Sequence, residues 1–188
     1  MTGDIVTVAA PFVGENTLSY VARGSGIISL ALFTMTVALG LLTAGRVSSP
    51  SWPRFVTETL HRNLSLAAVT FIVVHVVTIV LDANMGVGPL EALVPFIGTY
   101  SPLFLGLGTI AFDIILTLIA TGLLRTRLPY RVWRSIHWMA YAGWPVAVTH
   151  AVGIGSEQSW VLITAGISVA LVLACGSVRV VSGRRRSA

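Results

Sequence analysis

The chain contains no lysine; all twelve of its basic residues are arginine. Charge of either sign is scarce, at 10% of residues against roughly 25% in an ordinary soluble domain, and 55% of the chain is hydrophobic. With a mean hydropathy of +0.86, this balance excludes a conventional soluble fold and points to an integral membrane protein. Cysteine occurs once, as Cys175 in an apolar stretch, so no intrachain disulfide can form. Also missing are a phosphate-binding glycine loop, a zinc-type Cys/His cluster and any serine or cysteine nucleophile constellation, so no catalytic residue is assigned. No long polar segment interrupts the 188 residues, which leaves no room for a separate soluble nucleotide-binding domain. Residues 1–22 are too polar to cross a bilayer and lack the basic start and apolar core of a signal peptide.

What is present is a set of long apolar runs. At about 20 residues per crossing, five segments qualify, and the expected fold is an all-α membrane bundle of five helices. The first runs from Gly24 to Gly45 and the second from Asn63 to Leu81, with a helical start expected at Pro53. The third spans Pro102 to Leu124 and carries one acid, Asp113. The fourth lies between Arg134 and Glu157, with Pro129 at its helical start, and the fifth runs from Gln158 to Val178. The expected organisation is an N-terminal tail (1–22), one membrane domain (23–182) and a short basic tail (183–188).

Arginine placement orients the bundle. Arg46, Arg54 and Arg62 lie between segments one and two, Arg125, Arg127, Arg131 and Arg134 between three and four, and Arg179, Arg184, Arg185 and Arg186 after five; only Arg23 falls elsewhere. The positive-inside rule therefore puts the N-terminus outside and the C-terminus in the cytoplasm of a plasma membrane. The terminal arginine run reads as an anchor at anionic lipid rather than a nucleic-acid site. Exclusive use of arginine hints at a GC-rich bacterial source.

All four histidines fall into two pairs on apolar segments: His61 and His75 on the second, His137 and His150 on the fourth. An imidazole is costly in hydrocarbon, and four in matched pairs point to metal ligation. Segments two and four run in the same direction, so His61 pairs with His137 near the cytoplasmic face and His75 with His150 near the outer face. The two inner residues each lie eight positions after a proline, Pro53 and Pro129. Fourteen residues at 1.5 Å separate the levels on segment two by roughly 21 Å, which suits two stacked hemes in a core about 30 Å thick. No C-x-x-C-H sequence exists, so such hemes are of the non-covalent b type.

The helical angle is a harder test. Fourteen residues return His75 to within roughly 40° of His61, whereas thirteen leave His150 roughly 140° from His137. A distortion is therefore expected at residues 141–146, around Gly143 and Pro145.

The segments HRNLSLAAVTFIVVH (61–75) and YRVWRSIHWMAYAGWPVAVTH (130–150) resemble the two heme-binding helices of the ferric reductase-like transmembrane domain, over roughly residues 24–178. That superfamily includes ferric reductases, NADPH oxidases and the heme subunit of bacterial methionine sulfoxide reductase systems. The resemblance implies bis-histidine b hemes at His61, His75, His137 and His150, with electrons moving from the cytoplasmic side outward. It departs from the oxidases and eukaryotic reductases in lacking a fused FAD and NAD(P)H domain, and from many relatives in having five expected crossings rather than six. The donor is then a separate cytoplasmic flavoprotein or a membrane quinol, and the acceptor an extracytoplasmic ferric chelate or redox protein. The cytochrome b of quinol-oxidising complexes also uses two histidine pairs, but its P-E-W-Y segment is missing here. Two further alternatives are a heme-free membrane anchor and a proton-coupled transporter using Asp113 and the histidines.

Other residues have candidate roles. Arg62 and Arg134 stand beside the inner pair as partners for heme propionates, and Arg23 is the equivalent outside. Asp113, at mid-membrane, is a candidate to bond a ligand histidine, relay protons or pair with an arginine. Trp138 and Trp144 lie beside or between the ligands, while Trp52, Trp133 and Trp160 read as interfacial belt residues. The loop from Asp82 to Ser101 is expected to lie over the outer site, with Asp82 and Glu91 as solvated charges.

Overall fold

The computed structural model describes residues 17–44 and 54–187. The expectations for the N-terminal tail before Thr17, for Arg46, Trp52 and Pro53, and for the side chains of Arg54, Arg184, Arg185 and Arg186 lie outside what is described. Six helices form, with no strand among the described residues: α1 (Thr17–Ala44), α2 (Arg54–Leu81), α3 (Pro102–Leu123), α4 (Tyr130–His137), α5 (Met139–Gly155) and α6 (Ser159–Ser187). Four of them, α1, α2, α3 and α6, contain stretches long and apolar enough to cross a bilayer. The protein is a multi-pass, all-α membrane protein.

Residue choice explains how helices tolerate polar groups at this depth. Ser25, Ser29 and Thr34 are buried on α1, and each donates to the carbonyl one turn back: Val21 at 2.6 Å, Ser25 at 2.7 Å and Leu30 at 2.7 Å. Bonding within the helix leaves no hydroxyl searching for a partner in hydrocarbon. Outward positions such as Leu66, Val73 and Val77 on α2 and Ile163, Ile167 and Leu173 on α6 are exposed, as a lipid-facing surface requires.

Helix α1 is the hub, packing along α2 on one side and against α6 and α5 on the other, while α3 lies on α5. Gly143 is buried where α3 and α5 meet, and a Cβ there would come within 3.0 Å of Ile114. Its contribution is close approach, not a kink. Helix α2 packs extensively on α1 alone, so it does not rest on α4 or α5, the helices that carry the other two histidines. A core cluster of Phe33, Val37 and Ile115, joined by Ile72, Tyr141 and Trp144, fills the centre. The Trp144 indole N–H donates to Thr34 Oγ1 at 3.0 Å, which ties α5 to α1.

The fourth expected crossing differs from a single helix. It divides at Trp138 into the 8-residue α4 and the 17-residue α5, and Pro145 is accommodated inside α5. The break therefore lies upstream of the expected 141–146 interval. At the junction the Tyr141 N–H bonds the Trp138 carbonyl at 3.0 Å, a three-residue step that tightens the turn. Tightening rotates the chain by roughly 120° per residue instead of 100°. This is the sense needed to bring His150 round toward the side of His137.

The connection between α2 and α3 also corrects an expectation. Asp82 is 3% exposed, accepting from Ser19 Oγ, from the Asn84 N–H at 3.0 Å and from Asn84 Nδ2 at 3.1 Å. It is an anchor and not a solvated charge, because Ser19 on the first turn of α1 lies directly against the end of α2. Glu91 is half-buried, and its carboxylate accepts from the Gly88 N–H at 3.2 Å. Its carbonyl accepts from Thr109 Oγ1 of α3 at 3.1 Å, which fastens the loop down on the bundle.

Candidate functional site

The four histidines form two facing pairs. His61 of α2 and His137 at the end of α4 have ring centroids 6.1 Å apart with planes at 66°, and His75 of α2 and His150 of α5 are 6.5 Å apart at 76°. No cluster of three or more histidine, cysteine, aspartate or glutamate groups suited to a metal ion occurs among the described residues. Each pair thus offers two ligands and no third.

Three of the rings are held in the same way. His61 Nδ1–H donates to the Thr36 carbonyl at 3.1 Å, His75 Nδ1–H to the Ala22 carbonyl at 2.7 Å, and His150 Nδ1–H to the Phe104 carbonyl at 2.7 Å. A carbonyl can only accept, so the proton is on Nδ1 and the lone pair on Nε2. Four residues beyond each accepting carbonyl the helix carries a glycine: Gly40, Gly26 and Gly108 respectively. A Cβ on Gly26 would lie 2.8 Å from His75 Cε1, and one on Gly108 would lie 2.5 Å from both Cε1 and Nδ1 of His150. At Gly40 the nearest His61 atom would be 3.8 Å away, an ordinary contact. The notch is tight around the His75–His150 pair and looser at the other.

His137 is the exception. No hydrogen bond to its ring is found among the described residues. Instead the Trp133 indole, one turn earlier on α4, stacks on it at 5.0 Å with the planes only 16° apart. The Arg125 guanidinium sits 4.8 Å from the Trp133 ring centre, and Tyr130 lies 6.0 Å away on the same helix. Trp133 is therefore part of the site and not a simple belt residue.

A cavity is lined by both His75 and His150. Leu30, Phe33 and Ile115 of the apolar core line it, and the α2–α3 loop contributes Met85, Val87 and Ala92. Its exposed lining residues Arg23, Tyr100, Ile154 and Trp160 mark its mouth. The loop thus lines this site, and Arg23 is in reach of a group bound there.

Other candidates fall elsewhere. Arg62 and Arg134 are exposed and do not line this cavity, and the Arg134 guanidinium lies 5.6 Å from the Trp138 ring. The Asp113 carboxyl makes no hydrogen bond or ion pair among the described residues and does not line the cavity, although Phe112 beside it does. It supports none of the four histidines. Cys175 is a free thiol on α6.

No curated protein and no solved structure matches the chain. The sequence does match the family described as ferric reductase like transmembrane component over residues 25–148, a stretch that contains three of the four histidines and all of α2, α3 and α4. The chain belongs to the ferric reductase-like transmembrane family, whose members are oxidoreductase-related membrane components.

Proposed function

We propose that the chain is a di-heme b-type cytochrome subunit that carries electrons across the plasma membrane. One observation carries this reading: imidazoles from opposing elements face one another in two pairs, at a separation suited to one metal ion between them. Two metal–imidazole bonds of about 2 Å, plus roughly 1.1 Å from each nitrogen to its ring centre, require about 6.2 Å between centroids. The observed values are 6.1 and 6.5 Å. With only two protein ligands per site, the remaining positions must come from a ligand that is not protein, and a porphyrin supplies four in one plane. The separation of α2 from α5 and the apolar lining of the cavity favour such a flat, greasy group.

His61 and His137 would hold one heme and His75 and His150 the other. A heme held by two histidines would supply a one-electron couple, which suits electron transfer. The carbonyls of Ala22, Thr36 and Phe104 fix the tautomer that leaves Nε2 free to coordinate. Arg23 stands at the mouth of the outer cavity as a partner for a propionate. In this reading α4 and α5 together make the fourth of five crossings, the arginine-rich connections face the cytoplasm, and the N-terminus is outside. Electrons arrive at the His61–His137 level from a separate flavoprotein or a quinol. They leave at the His75–His150 level to an extracytoplasmic ferric chelate or redox protein.

The test is optical. Protein purified after expression with ample heme should give a reduced b-type spectrum with two hemes per chain by pyridine hemochrome assay. His75→Ala or His150→Ala should each lower the count to one. Stable, colourless protein would overturn the reading.

A further inference from the structure

The His137 end of the site has an aromatic and cationic surface that the ligand geometry does not require. Tyr130, Trp133 and His137 form a line of rings along α4, running from a side chain that is 63% exposed to the ligand itself, with contacts of 6.0 and 5.0 Å. Around it, Arg125, Arg127, Arg131 and Arg134 are all exposed. No acidic residue occurs anywhere from Ile114 to Ser156, so nothing in this part of the chain neutralises them. Topology alone would account for four arginines here. It would not account for a guanidinium 4.8 Å from the centre of the very ring that stacks on a ligand.

We propose that Trp133 is the contact through which electrons reach the inner pair, and that the arginine-ringed surface around it docks the acidic face of a separate flavoprotein. The inference rests on the di-heme reading and deepens it by naming where the donor binds and what its surface must be. Charge complementarity selects the partner: a quinol carries no negative charge to meet four arginines and would reach the site from lipid, not from water. In each transfer the donor's reduced flavin would give up one electron and release a proton to cytoplasmic water, and the electron would pass by way of Trp133 to the one-electron acceptor that His61 and His137 would hold. Trp133 itself is not consumed. Its ring also stacks on His137, so it positions that histidine as well as bridging to it.

The experiment uses the heme-loaded full chain in nanodiscs and a flavodoxin, an acidic FMN protein, as the probe. Binding of oxidised flavodoxin is measured by calorimetry, and reduction of the heme by the reduced form is measured by stopped flow. Binding should weaken by at least about tenfold between low and high salt, because the attraction is between exposed charges. A triple Arg125→Gln, Arg127→Gln, Arg131→Gln variant should lose most of that salt dependence while keeping two hemes. Trp133→Leu should slow reduction roughly tenfold or more, and Trp133→Phe, which keeps a ring, should stay within about threefold. Reduction by reduced riboflavin, which has no phosphate or protein face, should be insensitive to the arginine changes.

Unchanged salt dependence in the triple variant would overturn the docking surface. Wild-type flavodoxin rates in Trp133→Leu at full heme content would overturn the bridge. Should Trp133→Leu lose the inner heme, the Trp133→Phe rate decides that point: a value tenfold down refutes rescue by a ring. Failure of the di-heme reading looks different, since dithionite would then reveal no two-heme spectrum in the wild type.

Discussion

His75 donates from Nδ1 to the carbonyl oxygen of Ala22 at 2.7 Å, one helical turn before Gly26. In a helix the carbonyl of residue i points at the N–H of i+4, and a side chain at i+4 would stand where a second donor must approach. Glycine leaves that space open, and the carbonyl's second lone pair takes the imidazole. His61 with Thr36 and Gly40, and His150 with Phe104 and Gly108, repeat the arrangement. Gly26→Ala or Gly108→Ala should therefore displace its histidine, at a cost of about 1–3 kcal/mol in overpacking. The heme count should fall from two to one per chain, with the inner heme kept. Gly40→Ala should retain both, because its notch already has ordinary clearance. Equal heme contents in all three variants would show that the notches do no positioning.

Trp144 should matter for stability more than for holding either heme. Its ring joins the Phe33–Val37–Ile115 cluster, and its N–H donates to Thr34 Oγ1 at 3.0 Å. Trp144→Phe keeps most of the packing and loses the bond, for about 1 kcal/mol. Trp144→Ala empties the centre and should cost roughly 3–5 kcal/mol. Thermal unfolding in detergent checks the order: wild type above Trp144→Phe above Trp144→Ala, with the first gap no more than a few degrees.

The paired histidines and their partners across the site were legible because a fourteen-residue interval and the alternation of crossings are both one-dimensional facts. The glycine notches were legible too, but only in retrospect. Gly26 and Gly40 stand fourteen apart on α1, as His61 and His75 do on α2, and the two antiparallel helices set each glycine against a histidine. Trp133 is four residues before His137, an i,i+4 relation that predicts contact on one helix face and that outweighs its interfacial position. The break at Trp138 had no such signal, since neither glycine nor proline occupies it. The burial of Asp82 depends on Ser19, sixty-three residues away, and no local pattern announces a partner at that distance.

Asp113 should be dispensable for the cofactors. Its carboxyl touches no ligand histidine, and no partner for it is found among the described residues. Asp113→Asn should leave two hemes per chain, an unchanged spectrum and a reduction rate within about twofold, since the amide keeps the shape and removes only the charge. Loss of either heme in this variant would show that the acid acts on the site through a route other than direct contact.

Asp82 should govern the loop over the outer cavity. Its two carboxylate oxygens take three donors, from Ser19 and from the backbone and side chain of Asn84, and these join the start of α1, the end of α2 and the first turn of the loop. Removing the acceptor breaks three hydrogen bonds that join α1, α2 and the loop, at a cost of about 0.5–1.5 kcal/mol each. Because Met85, Val87 and Ala92 of the same loop line the cavity, the cost should appear locally. In Asp82→Ala, hydrogen exchange should rise in residues 83–95 while α3 and α5 stay protected. The outer heme should be lost to a competing apo-protein faster than in the wild type, and the inner heme at the same rate. Ser19→Ala removes one donor and leaves the Asn84 bonds, so its exchange and heme loss should fall between the two. Uniform exchange across the whole chain in Asp82→Ala would mean that the acid supports the bundle as a whole and not the cover of the outer site.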